Sequence, residues 1–235
     1  MSKFARPWTV LPHGPLEKID DNLWTVTGDL QWVPVHGIRR MSIVRRSDGS
    51  LLFFHAIPLD EPTLAELTTW GKPAILVLPH DQHAIDARPF AEKLGLRVFG
   101  PKLNEKKLRA RVDLDGTLEQ LEADPSVTFE SLAGTKTGEP VGVVRSGERL
   151  SLLFADAVQN IPRGELPFAF RLLGMGGGPK VILPFKLLFV SDNTALKAHF
   201  ERLAAMPGLT RLVPCHGTVI TSDAADSLKR VATSV

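Results

Sequence analysis

A single cysteine, Cys215, stands in 235 residues, so no intramolecular disulfide can form and the chain suits a reducing compartment. Charge of one sign is equally scarce. Twenty-eight basic residues face 26 acidic ones, a formal charge of +2, and no general field draws the protein to nucleic acid or anionic lipid. Unbroken hydrophobic runs are missing too. The most apolar stretch, Leu166 to Val190, is interrupted by Arg171, Lys180, Lys186, Gly176 to Gly178 and two interior prolines, whereas a membrane-spanning helix needs about 20 mostly apolar residues in succession. It reads instead as a helix, a glycine hinge and a buried strand. The opening residues, MSKFARPWTVLPHG, hold no apolar core of signal-peptide length. The expectation is a cytoplasmic protein with no membrane or nucleic-acid partner.

Several catalytic signatures are absent as well. There is no G-x-S-x-G nucleophile elbow. The GMGGGP run lacks the Lys and Ser or Thr of a phosphate-binding loop, and it does not join a clear strand to a helix as a dinucleotide motif should.

What is present is ordinary in bulk: 43% hydrophobic and 23% charged residues, with a mean hydropathy of +0.02. This is the composition of a globular protein able to bury a substantial core, and a single domain over residues 1–235 is expected. Leu23 to Gly28, Arg39 to Arg46 and Ser50 to Ala56 are short β-rich runs, the last two joined by the turn signal SDGS. In LDEPTLAELTTWG, Asp60 caps a helix, Pro62 suits its first turn, Leu64, Leu67 and Trp70 form its apolar face and Gly71 ends it. PAILVLP reads as a strand covered on both faces, ARPFAEKLG as a helix with Asp86 at its N-cap, and LRVFGP as the next strand. Leu103 to Asp124 looks charged and helix-like, with a turn at DLDGT. PVGVVRSG and RLSLLFADA form a hairpin-like pair. Ser191 or Asp192 caps a helix bearing Leu196, Phe200 and Leu203, LTRLVPCHG supplies a strand, and TSDAADSLKRVATSV a final helix. Alternation of strand and helix is an α/β signature.

The chemistry concentrates at strand ends. His80 follows ILVLP, Asp156 follows LSLLFA and His216 follows LVPC, so three distant segments each deliver a possible metal ligand. His83, three residues after His80, can face the same side if the loop winds into the next helix. Imidazole and carboxylate donors together suit zinc, manganese or iron. Each residue also has a plainer use. The histidines can bond to backbone, Asp156 can be held by donors or a cation, and Cys215 can be a small buried hydrophobe. His55, ending FFHA, is expected to bond an aspartate or backbone. His13, His36 and His199 lack supporting context, and His199 is expected at the surface.

In the order of its elements and ligands, over roughly Leu23 to Ser222, the chain resembles the metallo-β-lactamase fold superfamily. That resemblance implies an α/β fold arranged as an αββα four-layer sandwich. The family's leading signature is HxHxDH, followed by a histidine in a glycine-containing loop, a bridging aspartate and a final histidine commonly followed by glycine. His80 falls at the first histidine, Asp156 at the bridging aspartate, and His216 with Gly217 at the last. Gln82, Ala84 and Ile85 stand where the rest of the leading motif belongs, and Thr135 in LAGTKTGE stands where the middle histidine belongs. The sequence is more similar still to a divergent branch of uncharacterised function, whose first loop reads Pro, Asn or His, two residues, then His. Pro79, His80 and His83 fit that pattern, as does Glu139.

The resemblance implies a degenerate site for at most one ion, zinc or else manganese or iron, held by His80, Asp156 and His216 with His83 as a replacement ligand. Asp156 would orient a metal-activated water for attack on an ester, thioester, amide or phosphodiester. His55 occupies a place where the family often has an aspartate supporting the metal shell. The competing expectation is a scaffold without chemistry that binds a small molecule or a protein partner, and a homo-oligomer is compatible with either.

Overall fold

The structure is a computed structural model that describes residues 7–32, 35–166, 170–171 and 174–235. The chain is mixed α/β and divides into two compact units, Met1–Thr128 and Phe129–Val235.

The N-terminal unit is built on a seven-stranded sheet in the order β1-β2-β3-β4-β5-β6-β7. Its strands are β1 (Glu17–Asp20), β2 (Leu23–Trp32), β3 (Val35–Arg45), β4 (Ser50–Phe54), β5 (Lys72–Val77), β6 (Arg97–Gly100) and β7 (Gly116–Thr117). The first four pair antiparallel, as the expected meander, and β4 to β7 run parallel. Helix α1 (Glu61–Trp70) crosses from β4 to β5. Asp60 accepts from the Thr63 N–H at 3.0 Å, satisfying one orphan donor of its first turn. Leu64 and Leu67 are buried, and Trp70 stacks on Trp24 at 4.0 Å. Helix α2 (Ala87–Leu94) ends at Gly95, whose positive φ of 64° suits glycine. A core including Leu51, Phe53, Leu76, Leu78 and Phe90 fixes these helices on the sheet. Phe90 and Phe53 are fully buried, each contributing about 1.5–3 kcal/mol.

Two expectations need correction here. Asp86 stands at the N-cap position of α2 but makes no capping bond; its carboxylate instead pairs with the buried Arg39 guanidinium of β3. A charged partner in a dry setting outcompetes a capping bond, because an unpaired buried guanidinium is costly. The charged stretch from Leu103 to Asp124 yields the short α3 (Glu105–Arg109), the strand β7 at the DLDGT turn and the single 3-10 turns Lys102–Asn104 and Leu118–Gln120 on either side of them, rather than one helix. Phe99 and Gly100 of β6 pair with Gly116 and Thr117, so sheet extension overrides local helix propensity.

The C-terminal unit carries a four-stranded sheet ordered β11-β10-β9-β8. These are β8 (Val127–Ser131), which starts at the unit boundary, β9 (Pro140–Ser146), β10 (Arg149–Phe154) and β11 (Leu209–Pro214). β9 and β10 form the expected hairpin, and β11 joins β10 in parallel. Helices α4 (Leu183–Phe189), α5 (Asn193–Ala204) and α6 (Ala224–Thr233) complete the unit. Asp192 caps α5 through the Ala195 N–H at 3.0 Å, and Leu196, Phe200 and Leu203 are buried with Leu152, Phe154 and Leu228. The expected buried strand near Val190 is instead α4: Pro184 occupies its first turn, Phe185 is buried and Leu187 and Leu188 are exposed. The helix expected at the start of that apolar stretch falls largely outside the described residues. No helix among the described residues is long and apolar enough to cross a membrane.

Candidate functional site

In the N-terminal unit the parallel pairing of β4 and β5 brings their carboxyl ends to one edge, with Phe54 opposite Val77. His55 is the next residue on one strand, and His80 lies three residues beyond the other. The His55 N–H donates to the Val77 carbonyl at 3.2 Å. After Pro79 the chain turns through the single 3-10 turn Asp81–His83, closed by the His83 N–H to the His80 carbonyl at 3.0 Å. The two predicted histidines are thereby brought together. Their rings stand perpendicular with centroids 4.6 Å apart, and His80 is fully buried. A second ring contact was not legible in the sequence: the His83 Nδ1 lies 2.8 Å from the Nδ1 of His55, which is buried and holds a positive φ of 75°.

The rest of the loop is occupied by structural work. Asp81 exchanges bonds with Asn104, accepting from its Nδ2 at 3.1 Å while the Asp81 N–H donates to its Oδ1 at 2.9 Å. Ala84 packs in the core and Gln82 is exposed. His13 accepts from the Asp60 N–H at 3.2 Å through Nε2 and so steadies the approach to α1.

In the C-terminal unit the same logic recurs. Phe154 and Pro214 pair at the parallel ends of β10 and β11, and two residues further along each strand stand Asp156 and His216. The His216 Nε2 meets the Asp156 Oδ1 at 3.2 Å. Burial pulls the His216 imidazole down, but the Cys215 sulfur and the Asp156 carboxylate outweigh it and hold its pKa well above the usual histidine value. Ligation by His216 would therefore require that proton to leave. Gly217 has a φ of 95°, and a Cβ there would meet the Asn160 carbonyl at 2.0 Å. Only glycine permits this approach, which lets the Asn160 N–H donate to the His216 carbonyl at 3.0 Å and locks the loop.

Glu139 and Thr135 explain the rest of this edge. Glu139 is fully buried, and its Oε1 accepts from the backbone N–H groups of Asp156, at 3.0 Å, and Ala157, at 2.9 Å. It shapes the turn that presents Asp156. Thr135, where the resemblance leads one to look for imidazole, donates to the Leu132 carbonyl at 2.8 Å and accepts from the Glu139 N–H at 3.2 Å. Glu139, standing after the glycine loop, was the one sequence signal for this arrangement. His199, expected at the surface, is half-buried: it accepts from the Ala133 N–H at 3.0 Å and lies near Arg202 and Glu130. The His36 side chain lies outside the described residues, although its backbone belongs to β3.

The donors in each unit fit a divalent transition metal: clustered imidazoles in one, an imidazole beside a carboxylate in the other.

The chain has the metallo-β-lactamase fold. It matches the metallo-β-lactamase of Pontibacter korlensis with a TM-score of 0.60 at 14% identity, covering 94% of this chain and 99% of that one. For the enzyme of Hirschia baltica the TM-score is 0.59 at 14% identity, over 93% and 98%. For the metallo-β-lactamase FIM-1 of Pseudomonas aeruginosa, solved in a mono-zinc form, it is 0.62 at 12% identity, over 97% and 98%. No protein-family model matches the sequence, and no curated protein matches it.

Proposed function

We propose that this protein is a metal-dependent hydrolase with a degenerate site for at most one ion, held by His80, Asp156 and His216, with His83 as a replacement ligand. The reading treats residues 1–235 as one domain and places the protein in the cytoplasm. The observation that supports it most is the Asp156–His216 pair, set at the ends of two parallel strands and supported beneath by buried Glu139. The fold shared with FIM-1, which was solved in a mono-zinc form, supports zinc as the first ion to try, with manganese and iron next.

When bound, such an ion supplies Lewis acidity and a water acidified towards neutrality. The protein's own part is orientation. Asp156, steadied by its contact with His216 at 3.2 Å, would hold and aim the attacking water. The substrate class is an ester, thioester, amide or phosphodiester.

The test is elemental analysis of protein purified without chelator or affinity nickel, beside His216→Ala and Asp156→Ala. About one ion per chain, lost in both variants, is expected. Absence of metal from the wild type after reloading with zinc, manganese and iron would refute the reading.

A further inference from the structure

Resting on that reading, we propose that His55 is itself a metal ligand, sharing one ion with His83. Two observations support it independently. The first is distance. Two nitrogens bound to one ion at about 2.0–2.1 Å, with an angle between a right angle and the tetrahedral one, lie about 2.9–3.4 Å apart. The two Nδ1 atoms face one another at 2.8 Å, so little movement separates them from a shared ion. The rings meet at an interplanar angle of 64° with centroids 4.4 Å apart, so both nitrogens converge without the rings stacking.

The second observation is backbone strain. His55 is one of only two non-glycine residues with positive φ among those described, and it is 2% exposed. Such a conformation costs an L-residue free energy, and it persists where surrounding structure enforces it, often at ligand clamps. Here the enforcing contacts are visible: the His55 N–H is tied to Val77 at 3.2 Å, and Phe54 meets the His55 ring edge-on at 4.8 Å. The twist turns the imidazole that follows β4 onto the histidine loop that follows β5. The ligand set thus includes an imidazole from the residue that follows β4, a position to which the sequence pattern assigns no ligand.

The same geometry could also be a bond through which His55 merely positions His83, and the experiment separates these roles. Zinc-loaded wild type, His55→Gly, His55→Asn and His83→Ala are compared by elemental analysis, competition with a chromophoric chelator and X-ray absorption. Glycine and asparagine both tolerate the positive φ, so neither variant should fail to fold, and circular dichroism checks this. The expected result is an affinity lowered more than 100-fold in His55→Gly and His55→Asn, beyond the range usual for loss of an outer partner. At saturating zinc, one fewer imidazole should surround the ion. An unchanged imidazole count in His55→Gly would overturn the ligand role of His55, and if His83→Ala still lost its zinc, the metal-dependent reading would stand. A wild type that takes up no zinc would overturn both.

Discussion

Glu139 shows how much one buried carboxylate can decide. Its Oε1 accepts two backbone N–H groups at 3.0 and 2.9 Å, and these belong to Asp156 and Ala157, so the turn carrying Asp156 is shaped by a side chain 17 residues away. Removing the acceptor leaves one buried and one part-buried donor without it, at about 1–3 kcal/mol each. Glu139→Ala should therefore destabilise the protein by about 3 kcal/mol, read as a lowered urea midpoint with an unchanged m-value. Glu139→Gln retains an acceptor oxygen and should lose less. Equal midpoints for wild type and Glu139→Ala would show that the two N–H groups find other partners. Thr135 belongs to the same arrangement, and its hydroxyl is spent on Leu132 and Glu139 rather than on any ligand.

Among the elements, the N-terminal sheet is held by exposed charge as well as by apolar packing. Arg97, which opens β6, grips Glu122 with both terminal guanidinium nitrogens at 2.7 and 2.9 Å. The Arg97 bond is the main reason that the Glu122 carboxyl falls to about 2, well below its ordinary value. Because the folded value lies below the unfolded one, the contribution is present above the unfolded glutamate pKa, about 4.3, and is lost as pH falls towards 2. The stability difference between wild type and Glu122→Gln should be constant from pH 6 to 8 and shrink progressively below pH 4.5. Both partners face solvent, so salt should reduce the difference at neutral pH. A difference that grows on acidification would contradict this assignment.

For the whole molecule, no disulfide links the chain to itself, and the formal charge of +2 leaves little electrostatic self-repulsion. Stability then depends on the two apolar cores and, on the proposed function, on bound metal. An ion that binds only the folded state at 100 times its Kd adds about 2.7 kcal/mol. For a chain of this length that corresponds to a rise of about 5–10 °C in Tm. Zinc should raise Tm by this amount in wild type, chelator should reverse it, and Asp156→Ala should show no response. An identical zinc response in Asp156→Ala would separate the thermal effect from the proposed ligands.

Sequence alone determined the elements whose signals are local. Asp60 caps the helix it was expected to cap, Asp192 is the one of the two expected residues that caps α5, Leu196, Phe200 and Leu203 face inward, and the strands before His80, Asp156 and His216 are where continuous apolar runs placed them. Each of those signals lies within a few residues of what it specifies, as caps and periodicities do. Tertiary structure decided what depends on a distant partner. Asp86 answers Arg39 rather than its own helix, β7 forms because β6 offers a free edge, and Leu183 to Phe189 is helical although its sequence suits a buried strand. The meeting of His55 with His83 also belongs here, since it needs the parallel register of β4 and β5 and a backbone twist at His55. A pattern of residue types carries no record of that register, because it is fixed only when the two strands pair.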